Sequence, residues 1–244
     1  MGNIIYIPKP VSGVTPTNYG LLYNQRAIID VRNLAATGWH VISRDNYFLI
    51  LELINGGVLG TAVYNLEPGA YSLRETGTVH WNDSNGTDVY GFAARGSGSR
   101  NVGALGFQLL KSHFRLGATQ AAYGQLISII NIQTASDRIT FTGKNSFGLV
   151  PDSNGGYATR LVKDSSSLTE DGQTSTYTGN DGKVYESIMI AGIEVLKTNL
   201  AETKWRTGAE IYGTSDDFTD SEWTNLATAG TSALCAHSND WSNV

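Results

Sequence analysis

Residues 34–57 read Leu-Ala-Ala-Thr-Gly-Trp-His-Val-Ile-Ser-Arg-Asp-Asn-Tyr-Phe-Leu-Ile-Leu-Glu-Leu-Ile-Asn-Gly-Gly. No other stretch of the chain carries so strong a helix signal. Ser43 suits an N-cap, because its hydroxyl can accept from an orphan amide of the first turn. Asp45 places a negative charge in that turn, where the helix dipole favours it. Tyr47, Phe48, Leu49, Ile50, Leu51, Leu53 and Ile54 follow, interrupted only by Asn46, Glu52 and Asn55, and Gly56-Gly57 supplies the stop. The spacing predicts a helix over 44–55. A helix that is apolar most of the way round is a buried one, so the rest of the chain is expected to wrap around it.

The chain has 244 residues, enough for one large or two small domains. Hydrophobic residues make up 41%, which supports a core, while charged residues make up only 16% and glycines number 28. Such a composition suits a loop-rich, mostly β protein with many tight turns. A net charge of −5 without a basic patch argues against a nucleic-acid partner. Cys235 is the single cysteine, which excludes an internal disulfide and a Cys-rich metal site and reads as a small buried hydrophobe. No run approaches the ~18 apolar residues that span a bilayer. The N-terminal Met-Gly-Asn-Ile-Ile-Tyr lacks the pattern of a secretory signal, and Tyr6 breaks the myristoylation pattern. The expectation is a protein made in a cytoplasm, without membrane insertion, that leaves a cell by lysis or a dedicated route.

Residues 1–18 read as an extended arm, since Ile4, Ile5, Tyr6 and Ile7 favour a strand and Pro8, Pro10 and Pro16 prevent a helix. Such an arm either completes a sheet or docks on a partner. Tyr23 and Ala27-Ile28-Ile29 are expected to face the core. Residues 89–94 read as a short strand and 95–100, Arg-Gly-Ser-Gly-Ser-Arg, as a turn between two arginines. Strand-prone pieces surround Phe107, Phe114, 126–132 and 139–141. Residues 157–163 read as one strand, 164–182 as a polar linker, and 183–196 as two strands about Ala191-Gly192. Asn180-Asp181-Gly182 reads as a hairpin turn, and Thr219 or Asp220 caps a short helix to Leu226.

Several blocks together resemble the Fibrobacter succinogenes major paralogous domain family. They are Tyr19-Gly-Leu-Leu-Tyr-Asn24, Gly38-Trp-His-Val41, Glu75-Thr-Gly-Thr-Val-His-Trp81, Gly91-Phe-Ala-Ala94, Gly98-Ser-Arg100 and Arg160-Leu-Val-Lys-Asp164. The C-terminal part adds Asn180-Asp-Gly-Lys-Val-Tyr185, Asn199-Leu200, Lys204-Trp-Arg-Thr-Gly208, Trp223 and Asn239-Asp240. The resemblance implies an α+β, C-type-lectin-like fold, of a kind found on bacterial surface proteins and in bacteriophage structural proteins. The order of blocks differs from the family. The segment like 180–243 normally precedes the segment like 19–164, so the chain looks circularly permuted. The expected organisation is an arm over 1–18, a C-type-lectin-like core over 19–164, and a β-rich segment over 165–244. That last segment would complete the core of the same or a neighbouring subunit, since so short an apolar piece lacks a core of its own. Two further departures fall in 101–156. His113-Phe-Arg-Leu-Gly-Ala118 replaces an aromatic Trp-Ser-Ser block, and the glycine-aromatic pattern at 145–157 is stretched.

Relatives in this family place their exposed ligand face in the 101–156 region. There His113, Phe114, Arg115, Tyr123, Gln125, Asp137 and Arg138 combine aromatic and charged side chains suited to stacking on sugars and to bidentate contacts. Phe114 and Tyr123 read equally well as core. Trp81-Asn82-Asp83 matches the triplet that helps hold calcium in sugar-binding C-type lectins, and Asp83, Asn85, Thr87 and Asp88 continue it with oxygen donors. The Glu-Pro-Asn partner motif is missing, and such loops are ordinarily turns. His40, His80, His113 and His237 have no metal spacing, and neither a nucleophile elbow nor a phosphate loop is present. No catalytic residue, metal site or cofactor is therefore expected. Trp205, Trp223 and Trp241 read as packing residues.

The combined expectation is a non-enzymatic bacteriophage virion protein: a head decoration, head fibre or tail adhesin. Its arm would bind other virion proteins and its exposed face a host-surface glycan or protein. Symmetric homo-oligomers such as trimers suit fibre-like parts. Two alternatives remain, a bacterial cell-surface adhesin or lectin and a purely structural decoration protein.

Overall fold

A computed structural model describes residues 19–57, 65–66, 69–102, 105–119, 127–142, 155–214 and 216–244. In chain order the first elements are β1 (Leu22–Asn24), α1 (Gln25–Ile28), β2 (Trp39–Val41), α2 (Arg44–Asn55), β3 (Asn65–Leu66) and β4 (Ser97–Arg100). Then come β5 (Phe107–Leu110), β6 (His113–Thr119), β7 (Ile127–Gln133), β8 (Ile139–Thr142), β9 (Gly156–Tyr157) and β10 (Leu161–Lys163). Last are β11 (Thr174–Thr178), β12 (Val184–Ile190), β13 (Ile193–Leu196), α3 (Asp220–Thr228) and β14 (Leu234–Cys235). The fold is mixed, strand-rich and poor in helix. Among the described residues, no helix is long and apolar enough to cross a membrane.

The strands form two sheets. One runs β14-β1-β9-β4-β6-β7-β8-β3, with β5 also paired to β4, and the other runs β11-β12-β13-β10-β2. Pairing is antiparallel throughout except between β4 and β6, where Gly98 lies opposite Phe114. The last described residues join the first ones. Leu22 pairs with Cys235 and Tyr23 with Leu234, and the Tyr19 amide donates to the Asn243 carbonyl at 2.8 Å. Residues 165–244 thus contribute strands to both sheets within the one chain.

Helix α2 forms as its sequence dictates. Ser43 Oγ accepts from the Asn46 amide while Asn46 Oδ1 accepts from the Ser43 amide, and Gly56 ends the helix in the left-handed conformation. Its burial differs from expectation. Tyr47, Ile50 and Leu51 are buried, but Leu49 and Leu53 are 41% and 37% exposed. Among the described residues, the helix lies against the core on one face and is not wrapped by the rest of the chain.

The apolar interior has two main bodies. The first gathers Tyr23, Ala27 and Ile28 with Trp39, Tyr177, Tyr185, Trp205 and Trp241. The second lies beneath α2 and gathers Tyr47, Trp81, Phe92, Phe114, Leu116, Ile130, Ile132, Ile188 and Ile190. A smaller one packs Phe218 and Trp223 on Leu22 and Cys235. Cys235 and the three C-terminal tryptophans are all buried, as packing residues should be.

Four segments depart from the sequence reading. Residues 95–100 are not a loop, because 97–100 form β4, an interior strand of the larger sheet. Residues 89–94 are not a strand, because the Asp88 carboxylate accepts from the Ala93 amide at 2.7 Å and closes a turn. Residues 157–163 are not one strand. They split into β9 and β10, which belong to different sheets, with Thr159 and Arg160 at the crossing. Within the supposed linker, β11 pairs along its whole length with β12 about the turn at Asn180-Asp181-Gly182.

Candidate functional site

Strand β6 alternates in burial over residues 113–116. Phe114, Leu116 and Ala118 point into the core and are fully buried, while His113 and Arg115 lie on the opposite face and are half-buried. The register then decides which side chains join them, since directly paired residues share a face. Arg115 pairs with Asn131, Asn131 with Thr140, and His113 with Gln133. On the other side, Ser99 of β4 lies opposite Gln108 of β5. Hydrogen bonds follow this register. Arg115 Nη1 donates to Ser99 Oγ at 3.0 Å and Asn131 Nδ2 to Thr140 Oγ1 at 3.2 Å. Ser112 Oγ lies 3.0 Å from His113 Nδ1. Farther along the same face, Gly117 meets Ile28 and Tyr157 of the first core body. The larger sheet is therefore apolar on one side, and on the other it changes from apolar to polar along β6.

The electrostatics of this face are those of two neighbouring bases. Burial lowers the pKa of the His113 imidazole, the nearby Arg115 charge lowers it further, and a bond with Gln133 opposes both. Burial also lowers Arg115, against a smaller opposite pull from Tyr157.

The expected ligand-binding residues separate. His113 and Arg115 share the polar face. Phe114 is core, pointing to the other side and meeting Phe92 edge-on with ring centroids 6.0 Å apart. The Asp137 carboxylate accepts from the Tyr71 amide at 2.7 Å and so fixes the turn at 70–72, away from this face. Arg138 is exposed beside it in the β7–β8 connection. Tyr123 and Gln125, like the 1–18 arm, lie outside the described residues. Sequence reasoning missed Ser99, Gln108, Asn131, Gln133 and Thr140. The alternation of Ile-Ser-Ile-Ile-Asn-Ile-Gln over β7 carried the signal for two of them, with Ile130 and Ile132 inward and Asn131 and Gln133 outward.

The loop that matches the calcium triplet is folded onto the chain itself. Asp83 pairs with the buried Arg74 and accepts from the Ala135 amide at 2.7 Å. Burial alone would raise its pKa, but these bonds outweigh that and hold it below the usual carboxylate range. Thr87 donates to the Tyr71 carbonyl and Asp88 serves the turn at Ala93. Among the described residues, no three acidic, histidine or cysteine side chains gather where they could hold one metal ion.

A second polar cluster joins the blocks around Tyr19, Glu75, His80 and Arg95. The Glu75 carboxylate faces His80 Nδ1 and accepts from Arg95 Nε at 2.9 Å. The edge of the Tyr19 ring meets His80 at 5.0 Å, and burial with the nearby Glu75 charge pushes its hydroxyl up to about 12. The carboxylate orients the imidazole as in a catalytic dyad. Yet His80 Nε2 is buried and has no partner among the described residues. No described hydroxyl or thiol stands where that nitrogen could activate it.

Comparison with protein-family models, curated proteins and solved structures found no match to this chain. The functional reading rests on the residues and their placement.

Proposed function

We propose that this chain is a non-enzymatic bacteriophage virion protein of the Fibrobacter succinogenes major paralogous domain type, circularly permuted and C-type-lectin-like. It serves as a head decoration, head fibre or tail adhesin that presents a binding face to a host-surface glycan or protein. The arm over 1–18 attaches it to other virion proteins, in a symmetric oligomer such as a trimer.

The observation that carries the binding reading is the polar half of the larger sheet. An interior sheet face is ordinarily covered by apolar packing. Here His113, Arg115, Asn131, Gln133 and Thr140 stand half-buried on one side of strands whose other side is core. Polar groups presented by rigid strands suit recognition of a polar ligand. The permuted reading is supported by the contact between Tyr19 and Asn243, which brings the first and last described stretches together.

The test is saturable binding of labelled full-length protein to intact bacterial cells across a strain panel, with the Asn131→Ala/Gln133→Ala double variant alongside. Binding that saturates and weakens at least tenfold in the variant, with thermal unfolding unchanged, supports the adhesin. Absence of binding to every strain, together with presence of the protein in purified particles, makes it a structural decoration instead.

A further inference from the structure

Six arginines of this protein differ in what they face. Arg32, Arg74, Arg95 and Arg100 each meet a carboxylate. The fully buried Arg160 spends its donors on the carbonyls of Phe92, Ala93 and Leu196 and on Asn199. Arg115 does neither. Half-buried on the sheet, it gives one of a guanidinium's five N–H donors to a neutral hydroxyl, Ser99 Oγ, and among the described residues it has no carboxylate partner. His113 stands two positions along the same strand and on the same face. A cation taken partly out of water costs free energy unless something compensates it. Among the described residues, this face therefore has positive potential without a counter-charge, in a chain whose net charge is −5. Around it, Asn131, Gln133 and Thr140 offer the neutral donors and acceptors that meet sugar hydroxyls.

We propose that Arg115 anchors an anionic group, carboxylate or phosphate, on a saccharide that lies across β6 and β7. The guanidinium fork takes such a group bidentately. The amide and hydroxyl side chains beside it read the sugar, and His113 lines the same face next to the anion. This rests on the binding-face reading above and names the ligand class for it.

The experiment is titration calorimetry of full-length protein with three probes: trigalacturonic acid, an oligomer of glycerol phosphate, and maltotriose as the neutral control. Binding of either anionic probe, at least tenfold tighter than maltotriose and weakened about tenfold or more in Arg115→Gln, supports the proposal, and the arm that binds identifies the anion. Arg115→Lys keeps the charge without the fork and is expected to retain part of the affinity. If Arg115→Gln unfolds, the salt dependence decides. Affinity must fall as salt rises from 50 to 500 mM, since an ion pair is screened. Equal binding of the neutral probe, salt-independent binding, or no binding of either anion overturns the proposal. Saturable cell binding that neither anion competes with and that survives Arg115→Gln overturns it too, while leaving the adhesin reading intact.

Discussion

The Tyr19 amide donates to the Asn243 carbonyl at 2.8 Å, so two residues more than two hundred positions apart are backbone neighbours. Strands β1 and β14 continue that contact as a ladder. Where two such positions touch, a chain can be rejoined there and opened elsewhere at little cost, provided the new break is exposed. Asp164 and Ser165 are both exposed. A rearranged chain running 165–244, a short Gly-Ser linker, then 19–164 is expected to fold. Its far-UV circular dichroism should match, and its melting temperature should lie within about 5 °C of the parent, a shift worth on the order of 1–2 kcal/mol at this size. An aggregated or unfolded product would mean that the native order is needed.

Arg160 is the tie between the sheets. Its guanidinium reaches the carbonyls of Phe92, Ala93 (2.9 Å) and Leu196 (3.2 Å) and Asn199 Oδ1 (3.1 Å), and it lies 4.1 Å over the Phe92 ring. Arg160→Leu fills similar space but leaves those acceptors dry and unpaired, which costs about 1–3 kcal/mol for each group that water cannot reach. A total loss on the order of 3–5 kcal/mol is expected in urea unfolding. Arg160→Lys should lose nearly as much, because an ammonium cannot span four acceptors from one position. A loss under 1 kcal/mol for the leucine variant would contradict this role.

Much of the local structure was legible because local chemistry decides it. Ser43, Asp45 and Gly56 fix α2, Thr219 with Glu222 starts α3, and Asn180-Asp181-Gly182 turns β11 into β12. What escaped was decided at a distance. The Gly-Ser composition of 97–99 reads as a loop, yet these residues form an interior strand, and a Cβ at Gly98 would meet the β5 backbone at Gln108 and Leu110. The run over 157–163 reads as one strand, yet the chain changes sheets at Arg160. Leu49 and Leu53 made α2 look buried all round, yet one face meets solvent. His113 and Arg115 were identifiable by residue type, and Phe114 by the same alternation proved to be core. Ser99 and Thr140 join the face only through strand register, which the sequence does not spell out.

Glu202 gives the fold a pH dependence of unusual sign. It is buried, and burial first and the nearby Asp181 charge second push its carboxyl up to about 8. The Asp181 amide donates to it, and the Lys183 charge opposes the rise. Tyr23 and Tyr185 complete its surroundings, both raised by burial. An acid whose folded pKa exceeds its unfolded value binds more protons when folded. Its favourable contribution is therefore full below about pH 4.5 and is lost as pH rises towards 8. Glu202→Gln mimics the protonated form. Relative to the parent, this variant should gain stability from pH 5 to pH 8 in urea titrations, with the difference smallest at the acid end. A difference that does not change with pH would show that Glu202 is ionised in the native protein.

Gly98 tests whether β4 holds the proposed binding face in place. Its φ is +61°, and a Cβ there would run into the Gln108 carbonyl and meet the Leu110 amide at 2.8 Å and His237 Nε2 at 2.9 Å. Two costs then fall together, left-handed strain and collision with neighbouring backbone. They can be separated, because Gly208 has φ +84° with nothing within 4 Å of the same position. Gly208→Ala should cost only about 1 kcal/mol, the strain alone. Gly98→Ala should cost about 3 kcal/mol or more, because the interior of a sheet cannot move aside cheaply. Ser99 follows directly and accepts from Arg115, so displacement of β4 should also loosen that arginine. Binding to cells should then fall in Gly98→Ala even at temperatures where the protein remains folded, and stay unchanged in Gly208→Ala. Equal stability losses in the two variants would place the collision elsewhere and free β4 from this role.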